Sequence, residues 1–570
     1  MITRLNNHQC SPLKAVTNRL VTMINTGKRA INQNPQWRKF MENKLKLYQN
    51  QMRQGLLPRR DFIRLAAAAG ISATALGSLI STPAFAETPK RGGRIVVGAE
   101  SNNTKDTLDP HAYNGTGDYL RGFAVYDTLV NRGLDLLPIP YLAESWESSK
   151  NATKWVFQLR KGVEFHDGKE LTVEDVIYTF NSHLGENSES PAKSYFSQIK
   201  EMKKLAKHTI EFTLTSSNAD FPIILSDIRA HIIPEGYTDF RTTTIGTGPF
   251  KVKKFKAGST YQFERNRNYW GSNGPYIDEL EFIGVGDSTA RLNALFSGDI
   301  DLMLWLDPKT ASLVKRRKDM SLIQTKSNSF INLTMMLDRD PTKDNDLRMA
   351  LKYALNRETI LDNVFKGFGH IGNDHPISSI DPYYDHSIPQ RTYDPDKARY
   401  HIKKAGLENV PIDLYASDVG GAGGISSSVI YQETARSAGV KLNLIKPPAD
   451  SYWSTVWMKK AFCVSGWGPR PVPDLMFSIA YKSDSSYNET MWKNDKFDKL
   501  LIEARGVTDF PKRKEMYGEM QRMLQDNGGT SILAFTDSLD AANNKVKGIT
   551  PHPSGPLGFY QFATNAWLDS

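Results

Sequence analysis

An α/β fold divided into at least two lobes is what this 570-residue sequence predicts, and three observations carry the prediction. β-rich segments and amphipathic helical stretches alternate along most of the chain. With an N-terminal leader at 1–86 set aside, 484 residues of about two fifths hydrophobic composition remain, more than one core usually supports. A helix, a glycine stop at Gly298 and an apolar strand follow one another over 287–306, and two further helical stretches at 347–370 are able to start a second lobe.

Taken in order, the chain begins with an address. Arg59 and Arg60 stand in LLPRRDFIRLAAAAG, ahead of the uncharged run Leu65–Ile80 and an A-x-A cleavage site at Ala84 and Ala86, so the working protein is expected to start near Glu87. The run is too short and too rich in small residues for a comfortable membrane span. PRRDFIR resembles the twin-arginine export motif, which is read by the export machinery and is not an anchor. Met52 begins a leader of ordinary length, MRQGLLPRRDF, and is a candidate for the true start. The leader holds 13 Lys or Arg against 2 Asp or Glu, so without it the 72 basic and 62 acidic residues become 59 and 60. The net charge falls from +10 to −1, which removes any argument for nucleic acid.

GGRIVVGAE at 92–100 reads as a strand, followed by a helix from about Tyr119 to Leu129. Trp155, Phe157 and Leu159 alternate as a half-buried strand, His166-Asp167-Gly168 turns the chain, and Thr172 caps a helix with Val173, Val176, Ile177 and Phe180 on its apolar face. A strand pair is expected at 208–214 and 249–264, then a strand at 277–285. Over 410–445, strand, glycine-rich turn at Gly420–Gly424, helix and strand form another α/β unit. That turn lacks the Gly-Lys-Ser/Thr ending and the GxGxxG spacing of a phosphate loop.

No HExxH, CxxC or GxSxG is present, and no His pair has metal spacing. His166 beside Asp167 has no nucleophile to serve and reads as a turn histidine. Cys463, the one cysteine outside the leader, lies in the buried strand KKAFCVSGW and reads as a core thiol, with no disulfide framework available. Catalysis, cofactor and metal therefore have no candidate residues. The aromatics are more informative: Tyr452, Trp453, Trp457, Trp467 and Trp492 fall near element ends, where they either fill a core or wall a cleft. In GWGPRPVPD, Gly466–Asp474, three prolines stiffen the loop beyond Trp467 and display Arg470, a side chain suited to gripping a carboxylate bidentately.

AESWESSKNATKWVFQLRKGVEFHDGKELTVEDVIYTFN, Ala143–Asn181, resembles the extracytoplasmic solute-binding proteins of family 5, which serve peptide, nickel and opine ABC importers. GTGPFKVKKFKAGSTYQFERNRNYW, Gly246–Trp270, is similar to the same family's TGPY/F strand pair, and LNALFSGDIDL and LRMALKYALNRETILDNVFKG fall in register. The resemblance implies a type II periplasmic-binding-protein clamshell with an extra subdomain and no covalent chemistry. It assigns 92–119 and 236–340, with 536–570, to lobe one, 120–235 to the extra subdomain and 341–535 to lobe two. It further implies a monomer in the periplasm that hands a small-molecule or short-peptide ligand to the transmembrane subunits of an ABC permease. No lipid-attachment cysteine follows the leader's apolar run, which points to a soluble form in a Gram-negative host.

One departure bears on cargo. Peptide-binding members resemble GWxGDxxDPD, with an aspartate three residues past the tryptophan that takes the peptide's α-ammonium; here that residue is Arg470 and the loop is one residue shorter. An arginine repels an ammonium, so an anionic or acylated peptide-like compound, or an opine, is the expected ligand. Arg470 and Trp467 are the expected ligand contacts, with Trp453, Tyr113 and Tyr126 as further wall candidates. Asp474 is expected to cap a helix beginning near Leu475. The alternatives are a binding protein for a metal chelate or haem and a periplasmic peptide-binding chaperone.

Overall fold

The computed structural model describes residues 88–100, 103–272 and 274–569. Arg59 and Arg60, the expected cleavage site at Ala84 and Ala86 and the candidate start Met52 lie outside the described residues. From Lys90 onward the chain is one compact unit holding three sheets that matter here.

Lobe one is built on a seven-stranded sheet. Arg94–Ala99 occupies its middle, parallel to Glu279–Gly284 on one side and Leu302–Met303 on the other. The β-branched run fits such a position, for Ile95 and Val97 are fully buried. The helix Ser288–Ser297 between two of these strands is capped by Asp287, which accepts from the Ala290 amide, and stopped by Gly298 at φ +86. Asp301, just ahead of Leu302, accepts from the Val96 amide at 2.9 Å and ties two strands together.

The extra subdomain is a four-stranded antiparallel sheet in the order Ala143–Ser148, Lys154–Leu159, Thr209–Leu214, Ile199–Ala206. Trp155, Phe157 and Phe212 meet Phe180 of the helix Val173–Leu184 in its core. The expected pairing of 208–214 with 249–264 does not occur: the first segment is an inner strand here, while the second folds on itself in lobe one as the hairpin Phe250–Lys256 and Thr260–Arg265. Gly258, at φ +77, makes the turn. The helix at the start of this region spans Thr116–Val125 and packs Leu120, Phe123, Ala124 and Val125 into the lobe-one core, so the subdomain begins after it and not at 120. GTGP explains the tight fit. The backbone at Gly246 and Gly248 lies so close to Val125 that an added Cβ would stand 2.0 Å from its carbonyl oxygen at Gly246 and 2.4 Å from its carbonyl carbon at Gly248.

Lobe two carries a six-stranded sheet in the order Gly369–Ile371, Thr530–Thr536, Phe330–Met335, Phe462–Trp467, Ile412–Tyr415, Leu442–Ile445. Because Phe330–Met335 lies inside it, lobe two starts ahead of 330 and not at 341. All six residues of that strand are buried, so it shows no alternation and its sequence reads as an extension of what precedes it. The chain crosses between lobes at 326–329 and returns at 537. The two crossings run side by side, with the Thr536 amide donating to the Ser329 carbonyl at 2.9 Å.

Candidate functional site

The registers fix where a cleft must lie. Leu306 donates to the Leu539 carbonyl, and Thr325 pairs with Ser538, so the carboxyl ends of the parallel strands of lobe one point to the crossings. In lobe two, Phe330 pairs with Trp467 and with Phe535, so the carboxyl end of Phe462–Trp467 points to the same crossings. Loops at the carboxyl ends of parallel strands are where α/β proteins take ligands, and here both sets converge.

From lobe two the convergence brings the proline-stiffened loop. Trp467 donates its indole N–H to Glu489 at 2.9 Å, and the Arg470 guanidinium lies 5.5 Å from the Trp467 ring centre. One Arg470 nitrogen, Nη1, bonds the Gly468 carbonyl at 3.2 Å, while Nε is buried without a protein partner. Arg470 shares a cavity of about 10 Å³ with Asn328, Asp381 and Pro473; the Asn328 side-chain oxygen is likewise buried and unpartnered. A second cavity, about 50 Å³, continues past Pro471–Pro473 to Leu136–Pro138 and Asp220 of the extra subdomain. These spaces suit water molecules, so a peptide-sized ligand requires the lobes to part.

The subdomain meets lobe two beside that second cavity. Asp220 pairs with Arg513 at 2.9 Å, and the Ala219 amide donates to the Arg505 carbonyl at 2.7 Å. Burial pushes Asp220 up to about 6, against the pull of Arg513, and Asp381 up to about 7.

From lobe one comes Trp305, which sequence reasoning missed. It is 39 % exposed at φ +56, an unusual conformation for a bulky residue. Its amide donates to Asp540 at 3.2 Å and its carbonyl accepts from Arg291 at 3.2 Å. Asp540 also accepts from the Leu557 amide at 2.9 Å, and its burial raises the carboxyl to about 7. The available signal was an aromatic placed directly after an apolar strand that ends near the crossings.

The other expected residues divide. Trp453 is 46 % exposed and stands edge-to-face with Trp457 at 5.6 Å. Tyr113 and Tyr126 are fully buried, with both hydroxyls directed at the Leu108 carbonyl and both rings beside His231. They are parts of the lobe-one interior and present no surface to a cleft. Asp474 is no cap either: Val472 occupies that position of the helix Pro473–Ala480, and Asp474 is buried against Arg505 at 2.9 Å. His166 spends its ring on the Gly248 carbonyl and Gly246 amide, and burial lowers it to about 4. Cys463 is buried with its thiol pushed up to about 12, unsuited to nucleophilic attack. Among the described residues no group of three or more His, Cys, Asp or Glu is arranged for a metal.

Comparison with known proteins places this geometry. Residues 138–489 match the family described as bacterial extracellular solute-binding proteins, family 5 Middle. A dipeptide-binding protein of Escherichia coli K12 is 28 % identical over 466 residues, covering 74 % of this chain and 85 % of the relative. Heme-binding protein A of Haemophilus influenzae is also 28 % identical, over 74 % of this chain and 83 % of its own. Among solved structures, AgaA of A.tumefacien R10 in complex with agropinic acid superposes with a TM-score of 0.67 over 84 % of this chain and 99 % of its own; at 23 % identity it speaks for the fold alone.

Proposed function

From the premise that this chain belongs to the bacterial extracellular solute-binding proteins of family 5, we propose that its cleft captures an anionic or acylated peptide-like solute, or an opine. The protein is a periplasmic substrate-binding protein that delivers a peptide or small-molecule ligand to an ABC permease, and it is not an enzyme. Its working cycle is closure of two lobes about the paired crossings, with ligand contacts from both lobes shifting the balance toward the closed form. The observation that carries the ligand reading is Arg470, a cation on a proline-stiffened loop with a buried, unpartnered Nε beside the crossings. Trp467 beneath it and Trp453 and Trp305 at the lobe edges supply aromatic wall. The same reading has the precursor exported by the twin-arginine machinery through Arg59 and Arg60, and the mature form monomeric.

Native mass spectrometry of protein taken from periplasm, followed by release of anything bound, identifies the retained class. In titrations, N-acetylated dipeptides and opines are expected to bind at least tenfold better than unblocked dipeptides, and Arg470→Ala to remove that preference. Equal binding of unblocked dipeptides, or an unchanged preference in Arg470→Ala, overturns the ligand reading.

A further inference from the structure

Glu489 is fully buried, yet among the described residues no cation stands within ion-pair distance of it. Its carboxylate is instead filled by four neutral donors, two on each oxygen. Asn332 Nδ2 and Trp467 Nε1 donate to Oε1, each at 2.9 Å. Trp457 Nε1 and Ser465 Oγ donate to Oε2, each at 2.7 Å. A carboxylate offers about four acceptor sites, so this one has nothing left for a ligand.

Burying an acid without a counter-charge is costly, and an apolar residue would fill the same space at less cost. What the acid achieves that an apolar residue does not is to hold two indoles by their N–H groups. One of those indoles, Trp467, is the surface on which Arg470 lies. A hydrogen bond from the indole N–H to an anion also draws electron density into the ring, which strengthens the face as a partner for a cation.

We infer that Glu489 is a positioning residue of the cleft: by clamping the Trp467 indole it fixes the platform that presents Arg470, and so sets the selectivity for anionic ligand. The inference rests on the reading of Arg470 as the ligand's anchor. Its second oxygen does the same for Trp457, which continues into the partly exposed rings of Trp453 and Tyr487.

Glu489→Gln tests this, because an amide has one acceptor oxygen and cannot serve both indoles and Asn332. The readouts are the indole N–H signals of Trp457 and Trp467 and the buried Nε–H signal of Arg470, assigned in nitrogen-15 spectra by Trp457→Phe, Trp467→Phe and Arg470→Ala. Affinity for N-acetyl-Ala-Glu is measured alongside. In Glu489→Gln both indole signals are expected to move upfield, the Arg470 signal to disappear through exchange, and affinity to fall about tenfold. In an Arg470→Ala background Glu489→Gln is expected to cause no further loss. An unchanged Arg470 signal, or an equal loss of affinity with and without Arg470, overturns the inference and leaves Glu489 a component of packing only. Where Glu489→Gln gives no folded protein, Trp467→Phe keeps a ring beneath Arg470 while cutting its link to Glu489; loss of the Arg470 signal then supports the inference and its retention overturns it. Failure of N-acetyl-Ala-Glu to bind the wild-type protein sinks the ligand reading, and the spectra still decide on Glu489.

Discussion

Asp540 shows how much of this cleft depends on single carboxylates that never touch solvent. It secures two backbone amides whose residues sit at positive φ, Trp305 at +56 and Leu557 at +44, conformations that need an external hold. Asp540→Asn keeps one acceptor and places an NH2 against the other amide. It is expected to destabilise the protein by about 2 kcal/mol in urea unfolding, and to loosen Trp305, seen as faster acrylamide quenching that Trp305→Phe abolishes. Unaltered stability would mean that Trp305 is held by Arg291 alone. At this scale the sequence disclosed the residues that stand beside their partners and hid those that do not. That Arg470 and Trp467 stand together was legible because the loop that joins them is written out in GWGPRPVPD. Trp305 and Glu489 were not, since none of their partners adjoins them in sequence: those of Trp305 lie 14 and 235 residues away at Arg291 and Asp540, those of Glu489 22 to 157 away. Tyr113 and Tyr126 were misjudged because an aromatic that directly follows a helix looks the same in sequence whether it faces a cleft or a core.

Among the elements, the GTGP segment shows that a recognised pattern can have a steric cause. Gly246 and Gly248 bring their backbone against Val125 and Tyr126, at the point where the helix Thr116–Val125 gives way to the extra subdomain. Gly248→Ala would force a Cβ into fixed backbone, and is expected to cost about 3 kcal/mol, read from chemical unfolding; a loss under 1 kcal/mol would show that the helix can withdraw. Elements with a period or a cap were readable, such as Val173–Leu184 behind Thr172. Phe330–Met335 was not, because a strand buried on both faces carries no alternation, and the lobe boundary moved with it.

For the molecule as a whole, buried titratable groups pull stability in opposite directions with pH. Burial depresses His166, His370, His375 and His552 to about 4, His231 to about 3 and His183 to about 2. Each is neutral in the fold and charged in the unfolded chain below about 6.5, so each contributes stability that is lost as pH falls from there toward the folded value. Asp220, Asp381 and Asp540 are raised, so their contribution is full below the usual carboxylate range and lost as pH rises through about 6 to 7. Near pH 5 these six histidines outweigh these three carboxyls, so unfolding takes up protons at the nine groups together. Stability is expected to rise steeply from about pH 5 to 6 and to level off above about pH 7, where these histidines and carboxyls have the same charge in both states. Urea midpoints that improve below pH 5 would contradict this balance. The paired crossings carry one more consequence, which concerns time. Ser538–Asn543 lies between Met320–Thr325 and Leu302–Met303, in the interior of a sheet whose other strands were all made before lobe two. A ribosome finishes lobe two, whose ends already lie together, before it supplies the strand that joins the halves of lobe one. The first lobe to be begun is thus the last to be closed.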